Sequence, residues 1–202
     1  MFPQKKMKNY SEVFKVFKKN YVPIPLEVFG SDPYKILVST IMSARTNDDT
    51  TLKAAKRLFG KVPDLKSLDK LSEPEIRNLI YPVGFYKTKA RHLKELSKLI
   101  TKVPNTQEKL MELPGVGRKT ANLVLNRAFG IFAIAVDTHV HRISNLLGWV
   151  HTKTPEQTEK ELNKIIPKKY WPEMNKLFVS IGRQYTTKKR LEEFLRKEKL
   201  IV

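Results

Sequence analysis

Two residues in this sequence are placed to do chemistry together. Lys119 follows Pro114-Gly115-Val116-Gly117-Arg118, and Asp137 stands eighteen residues later in Val136-Asp137-Thr138-His139. A lysine in the first turn of a helix, beside another cation, loses part of the stabilisation of its charged form, and partial burial would add to that. Such an amine can attack an electrophilic carbon and form a Schiff base. A carboxylate near the same carbon would stabilise positive charge developing there. Read singly, each residue has a plainer meaning. Lys119 is then an exposed lysine touching a phosphate. Asp137 is the N-cap of a helix carrying Val140, Ile143 and Leu147.

The residues before Lys119 must position it. Pro114 stops one helix, Gly115 and Gly117 permit backbone angles that other residues resist, and the next helix starts at Arg118. The free N–H groups of that helix start, with its positive dipole end, favour a phosphate above the turn. This is a helix-hairpin-helix arrangement, which grips a nucleic-acid backbone without reading bases. Pro-Gly-x-Gly alone is equally a tight turn packing two helices. The charge balance favours the first reading: 39 Lys and Arg against 20 Asp and Glu leave a formal +19. A chain this basic suits a polyanionic partner, although a lysine-rich thermophilic surface has the same composition. The sequence has no cysteine, which excludes disulfides, zinc–thiolate sites and cysteine-ligated iron–sulfur clusters. Without an apolar run of ~20 residues, no membrane span is expected. The start, Met1 to Lys6, lacks a hydrophobic signal core, so an intracellular protein is expected.

The supporting elements read as helices nearly throughout, so an all-α fold is expected. Val13, Phe14 and Phe17 share one face of a helix over 11–19. Asp32-Pro33 starts a helix burying Ile36, Leu37, Ile41 and Met42. Asp48-Asp49 opens the next, with Asp48 as its cap and Gly60 as its stop. Ser72 with Glu75, and Thr154 with Gln157, form capping boxes. Helices over 86–100, from Thr106 to Pro114, 118–129 and 170–185 follow. Residues 131–136 (IFAIAV) read as a buried extended connector or an early helix turn. In the charged tail from Thr186, Glu192 and Arg196 stand four apart on an exposed helix. Pro82 to Lys87 echoes Pro114 to Lys119, and both segments lie between helices.

The combined signature LPGVGRKTAN…AVDTHV resembles the endonuclease III branch of the helix-hairpin-helix DNA glycosylases (the HhH-GPD superfamily). It is dense over 113–142, with weaker similarity from Ser43 to Arg183. The resemblance implies two α-helical domains with an active-site cleft between them. One is a six-helix barrel over residues 26–133, holding the hairpin. The other is built from both termini, residues 1–25 and 134–202. It further implies a bifunctional glycosylase and abasic-site lyase for base excision repair. Lys119 would attack C1′ of a damaged nucleotide, most simply an oxidised pyrimidine, and Asp137 would be the essential carboxylate. Adenine-excising and thymine-mismatch relatives usually lack the lysine. Activity on purine lesions or mismatches (8-oxoguanine, uracil, thymine) and catalytically silent damage binding are the rival readings; retention of both Lys119 and Asp137 favours the enzyme.

The implied DNA contacts are Gly115, Val116, Gly117, Arg118, Thr120 and His139, together with Arg45 and Phe85. Phe85 matches the family's wedge residue, although by composition alone it reads as core. Arg45 stands where the family carries a gap-filling glutamine. Asp48 matches a family acidic residue, an assignment that competes with its capping role. His139 is read as structural or phosphate-contacting, not as a metal ligand. Carbonyls of Met111, Leu113 and Val116 match a Na⁺ or K⁺ site. Most close relatives carry four cysteines for a [4Fe–4S] cluster near the C-terminus. Here Thr186-Thr187 and a basic tail replace them, so no iron–sulfur cluster or other cofactor is expected. The tail is expected to dock as a helix through Leu191, Phe194 and Leu195. The resemblance implies double-stranded DNA with damaged bases or abasic sites as the partner, and a monomer without membrane contact is expected. A cytoplasmic, nucleoid-associated, prokaryotic setting fits.

Overall fold

The structure, a computed structural model, describes residues 9–202; the N-terminal start, with its missing signal core, lies outside them. Among the described residues the fold is all-α, with no strand. The helices are α1 (Tyr10–Lys19), α2 (Pro33–Ser43), α3 (Asp48–Lys61), α4 (Leu65–Asp69), α5 (Glu73–Ile80), α6 (Tyr86–Leu99), α7 (Gln107–Met111), α8 (Arg118–Phe129), α9 (Thr138–Leu146), α10 (Pro155–Ile165), α11 (Trp171–Gln184) and α12 (Lys188–Lys197). The longest have 14 residues, and no helix is long and apolar enough to cross a membrane.

The chain divides into two compact units, Ile24–Ala135 and the pair Met1–Pro23 with Val136–Val202. In the first unit α2 is the central helix. It is buried from Ile36 to Met42 and packs on α8, α3 and α6. Polar residues at the helix starts explain most of the boundaries. Asp32 accepts the Lys35 N–H at 3.1 Å, with Pro33 in the first turn. Ser72 and Glu75 form the reciprocal box, the Ser72 N–H donating to Glu75 Oε2 at 2.8 Å.

Several boundaries differ from expectation. Asn47, not Asp48, caps α3, accepting the Thr50 N–H at 2.8 Å; Asp48 is the first helical residue. Gly60 does not stop α3, because Leu58 and Phe59 are buried and carry the helix on to Lys61. α7 ends at Met111, before Pro114, and two tight turns close the gap: Leu113 N–H to Leu110 O and Val116 N–H to Leu113 O. The Gln157 side chain accepts from Lys153 N–H, so the box at α10 is offset by one residue from Thr154. Residues 131–136 have no regular structure. Ile134, Ala135 and Val136 are buried, but Ile131 and Phe132 face solvent.

The second unit is organised around Phe178 of α11, whose ring lies 5.0 Å from Phe17, 6.0 Å from Phe14 and 5.7 Å from Trp149. The tail docks here as α12, with Leu191, Phe194 and Leu195 buried. Thr187 caps it through Arg190 N–H, and the Phe194 ring stacks on Tyr185 at 4.3 Å. Arg142 of α9 donates to Gly182 O and Tyr185 O at 3.1 Å and to Thr186 O, holding the turn into α12. Glu192 pairs with Lys188 at 3.7 Å, the i−4 partner in place of Arg196. Apolar packing thus holds the segment that follows Tyr185. Leu195→Ala should cost about 2–5 kcal/mol, because the fully buried side chain leaves a cavity. Denaturant unfolding checks this, and an unchanged midpoint would mean that α12 is not docked.

Candidate active site

The hairpin lies in the 24–135 unit. Leu110, Leu113 and Val116 are buried beneath it, and Gly115 takes φ +75°, a left-handed angle that favours glycine. A Cβ on Gly115 would also stand 2.6 Å from His92 Nδ1. Gly117 differs from expectation. As the N-cap of α8 it has φ −95° and ψ 178°, which any residue adopts, and a Cβ there would meet nothing within 4 Å. Its missing side chain therefore serves no backbone angle; it leaves the space over the first N–H groups of α8 open. Gly117→Ala should cost the fold under about 1 kcal/mol while weakening binding to duplex DNA. Gly115→Ala should cost about 1–3 kcal/mol and weaken binding too, since the turn must distort. Thermal unfolding beside fluorescence anisotropy separates the two. Equal losses of Tm would mean that Gly117 also serves the fold.

Arg118 and Lys119 occupy the first turn of α8, and both are exposed; Thr120 behind them is half-buried. Partial burial therefore adds nothing to the environment of Lys119, whose side chain lies in solvent. Met111 is exposed and the Leu113 carbonyl takes the Val116 N–H at 3.1 Å. That carbonyl keeps a second lone pair for a further donor or cation. Asn122, three residues past Lys119, is buried. It donates to Ile134 O at 2.9 Å and accepts from Gln107 Nε2, tying α8 to the connector that leads to Asp137.

A second cluster in this unit brings Arg45 and Phe85 together. Phe85 is 61 % exposed, so it is not core. The Arg45 guanidinium lies over its ring, 5.5 Å from the centroid. Both residues take positive φ, 54° and 56°. For side-chain-bearing residues that costs about 1 kcal/mol or more each and persists only where the surroundings impose it. Their turns meet closely. Gly84 N–H donates to Thr46 Oγ1 at 3.0 Å, and a Cβ on Gly84 would stand 2.7 Å from Arg45 O.

Lys89, which the sequence analysis passes over, is 6 % exposed beneath these turns. Its ammonium donates to Met42 O at 2.8 Å, Ala44 O at 2.5 Å and Thr46 Oγ1 at 3.3 Å. Burial pushes its pKa from 10.5 down to about 8. The unfolded chain therefore holds more protons between those values, and this residue's contribution to stability rises with pH across that window. The Cε resonance of Lys89 should titrate near pH 8; a midpoint near 10.5 would contradict the burial.

In the other unit Asp137 is the N-cap of α9. Its Oδ1 accepts the N–H groups of His139 and Val140, both at 2.9 Å, and Oδ2 takes neither bond. The two bonds hold the carboxylate in one orientation and complement the dipole of α9. His139 packs on Gly182 of α11, where any Cβ would collide with the imidazole. Among the described residues no group of three or more His, Asp or Glu side chains is arranged to hold a metal ion.

Known proteins carry the same fold and much of the same sequence. Endonuclease III of Thermotoga maritima is 43 % identical over 178 residues, covering 86 % of this chain and 80 % of that protein. Endonuclease III-like protein 1 of mouse is 39 % identical over 159 residues, 75 % of this chain and 53 % of its own length. A trapped endonuclease III–DNA covalent intermediate with an estranged adenine superposes with a TM-score of 0.77 at 34 % identity, covering 88 % of this chain and 84 % of that one. A thermostable thymine-DNA glycosylase, 23 % identical with a TM-score of 0.76, shares the fold. The profile of the HhH-GPD superfamily base excision DNA repair proteins matches residues 38–168, which include the hairpin, the Arg45–Phe85 cluster and the Asp137 cap. With the all-helical fold and the Gly-Val-Gly-Arg-Lys hairpin on the same chain, the protein belongs to that superfamily.

Proposed function

We infer that this protein is a base excision DNA glycosylase with abasic-site lyase activity, acting on oxidised pyrimidines in duplex DNA. The observation that carries the reading is the exposed Lys119 in the first turn of α8, two residues past the open Gly117 cap. A phosphate held on the hairpin by the N–H groups of α8 brings a nucleotide sugar to the amine. Arg118 and Thr120 add donors, with Val116 N–H turned inward to Leu113 O. The damaged nucleotide leaves the stack, and Arg45 and Phe85 fill the space it vacates.

The neutral amine of Lys119 attacks C1′, forming a C1′–N bond while the glycosidic bond breaks. The base leaves with the bonding electrons and takes up a proton. The Asp137 carboxylate stabilises the positive charge developing at C1′ and draws the proton of the attacking amine. The sugar opens to an imine, loss of a C2′ proton expels the 3′ phosphate, and water releases Lys119. The carbonyls of Met111, Leu113 and Val116 would hold a Na⁺ or K⁺ ion that braces the hairpin. No iron–sulfur cluster takes part, since the sequence supplies no thiolate. A duplex-DNA substrate fits a cytoplasmic, nucleoid-associated, prokaryotic setting.

Borohydride trapping on duplexes carrying an oxidised pyrimidine, 8-oxoguanine, a uracil or thymine mismatch, or an abasic site tests the reading. Adducts on oxidised-pyrimidine and abasic duplexes are expected. Adducts confined to the purine lesion or mismatches, beyond abasic DNA, would reassign the substrate. No adduct on any duplex would leave a catalytically silent binding protein.

A further inference from the structure

We propose that Lys89 is a positioning residue that locks the turn carrying Arg45 to the turn carrying Phe85, so that the two side chains enter DNA as one preformed wedge. The proposal rests on the glycosylase reading. Lys89 lies under the turns of Arg45 and Phe85 and not at the hairpin. The last carbonyls of α2 have no partner within their own helix. Lys89, in the first turn of α6, spans to one of them, Met42 O, and to Ala44 O just past the helix end, and reaches Thr46 Oγ1 with its third donor. These acceptors are neutral, so the charge is met by the negative end of the α2 dipole. Thr46 passes the link on, because its hydroxyl oxygen also accepts Gly84 N–H at 3.0 Å, next to Phe85.

The consequence appears in the backbone. Arg45 follows directly on the Ala44 carbonyl that Lys89 holds, and Phe85 follows directly on Gly84. Both exposed residues sit at left-handed φ, and the guanidinium lies on the ring. Solvent-exposed side chains on two separate turns would not keep that arrangement by themselves. A lysine buried at 6 % exposure with three donors placed on these turns supplies the constraint. Ordering the wedge beforehand spares that cost when DNA binds.

The test is borohydride trapping by the full chain on one abasic oligonucleotide, presented as a duplex and as a single strand, since only the duplex needs a wedge. Lys89→Met should slow trapping on the duplex about 10- to 100-fold and leave the single strand within about twofold. Thr46→Val should shift the duplex-to-single-strand ratio in the same direction. In a Phe85→Ala background, Lys89→Met should add little further loss on the duplex, because both changes disable one unit. Equal losses on both DNAs, an unchanged duplex rate, or full additivity with Phe85→Ala would overturn the proposal. If Lys89→Met does not fold by circular dichroism, the ratio for Thr46→Val decides alone. An unsubstituted protein that traps neither DNA overturns the glycosylase reading instead, and is distinguished by that result.

Discussion

Lys119→Ala should abolish the borohydride-trapped adduct and slow strand nicking by a factor on the order of 10⁴ to 10⁶, the scale of losing a covalent nucleophile. The fold should survive the change. Lys119 is exposed in the first turn of α8, and alanine is a good helix former there. An unchanged Tm with the adduct lost assigns the chemistry to this amine. Persistent trapping would move the nucleophile elsewhere. Duplex affinity should fall little, because the hairpin N–H groups and the other basic residues still meet the backbone, and one phosphate contact is a small part of such binding.

Asp137→Asn carries the second large effect. Asparagine caps helices about as well as aspartate, and its carbonyl oxygen can accept the same two bonds from His139 and Val140 N–H. The exchange therefore removes the charge and keeps the cap. Base excision should fall roughly 10²- to 10⁴-fold, the range for a positioned acid–base or electrostatic group. Affinity and Tm should stay near those of the unsubstituted protein. Asp137→Ala should lose the cap as well, at about 0.5–2 kcal/mol. Single-turnover kinetics and thermal unfolding of both variants separate the roles. Excision at the original rate in Asp137→Asn would reduce the residue to a cap.

Much of this was legible because the signals are short-range. Ser72 and Glu75 are three residues apart, and their hydrogen bonds need only a local turn. Leu191, Phe194 and Leu195 share a helix face through the helical period alone, and that face is the one α12 buries. Pro114-Gly115 marks a turn wherever it occurs, and Asp137 caps α9 with a bond to the third residue on. Such local rules also explain the small errors. Asn47 and Asp48 are both acceptable caps, and burial of Leu58 and Phe59 outweighs the helix-breaking tendency of Gly60.

Tertiary structure alone decided the environment of the Arg45–Phe85 cluster and the separate reasons for Gly115 and Gly117. Gly115 and Gly117 look equivalent in the sequence. One must be glycine for its φ and for His92, and the other leaves room outside the protein. Lys89 is one of many lysines in a chain of charge +19. It is set apart because α2 ends where α6 begins, bringing carbonyls more than forty residues away onto its ammonium. The same meeting of helix ends puts Arg45 on Phe85, an aromatic residue that by type alone reads as core. Local sequence determines helices, caps and turns through bonds a few residues long. Burial of a charge, and the pairing of two exposed side chains, depend on which distant segments the packed core brings together.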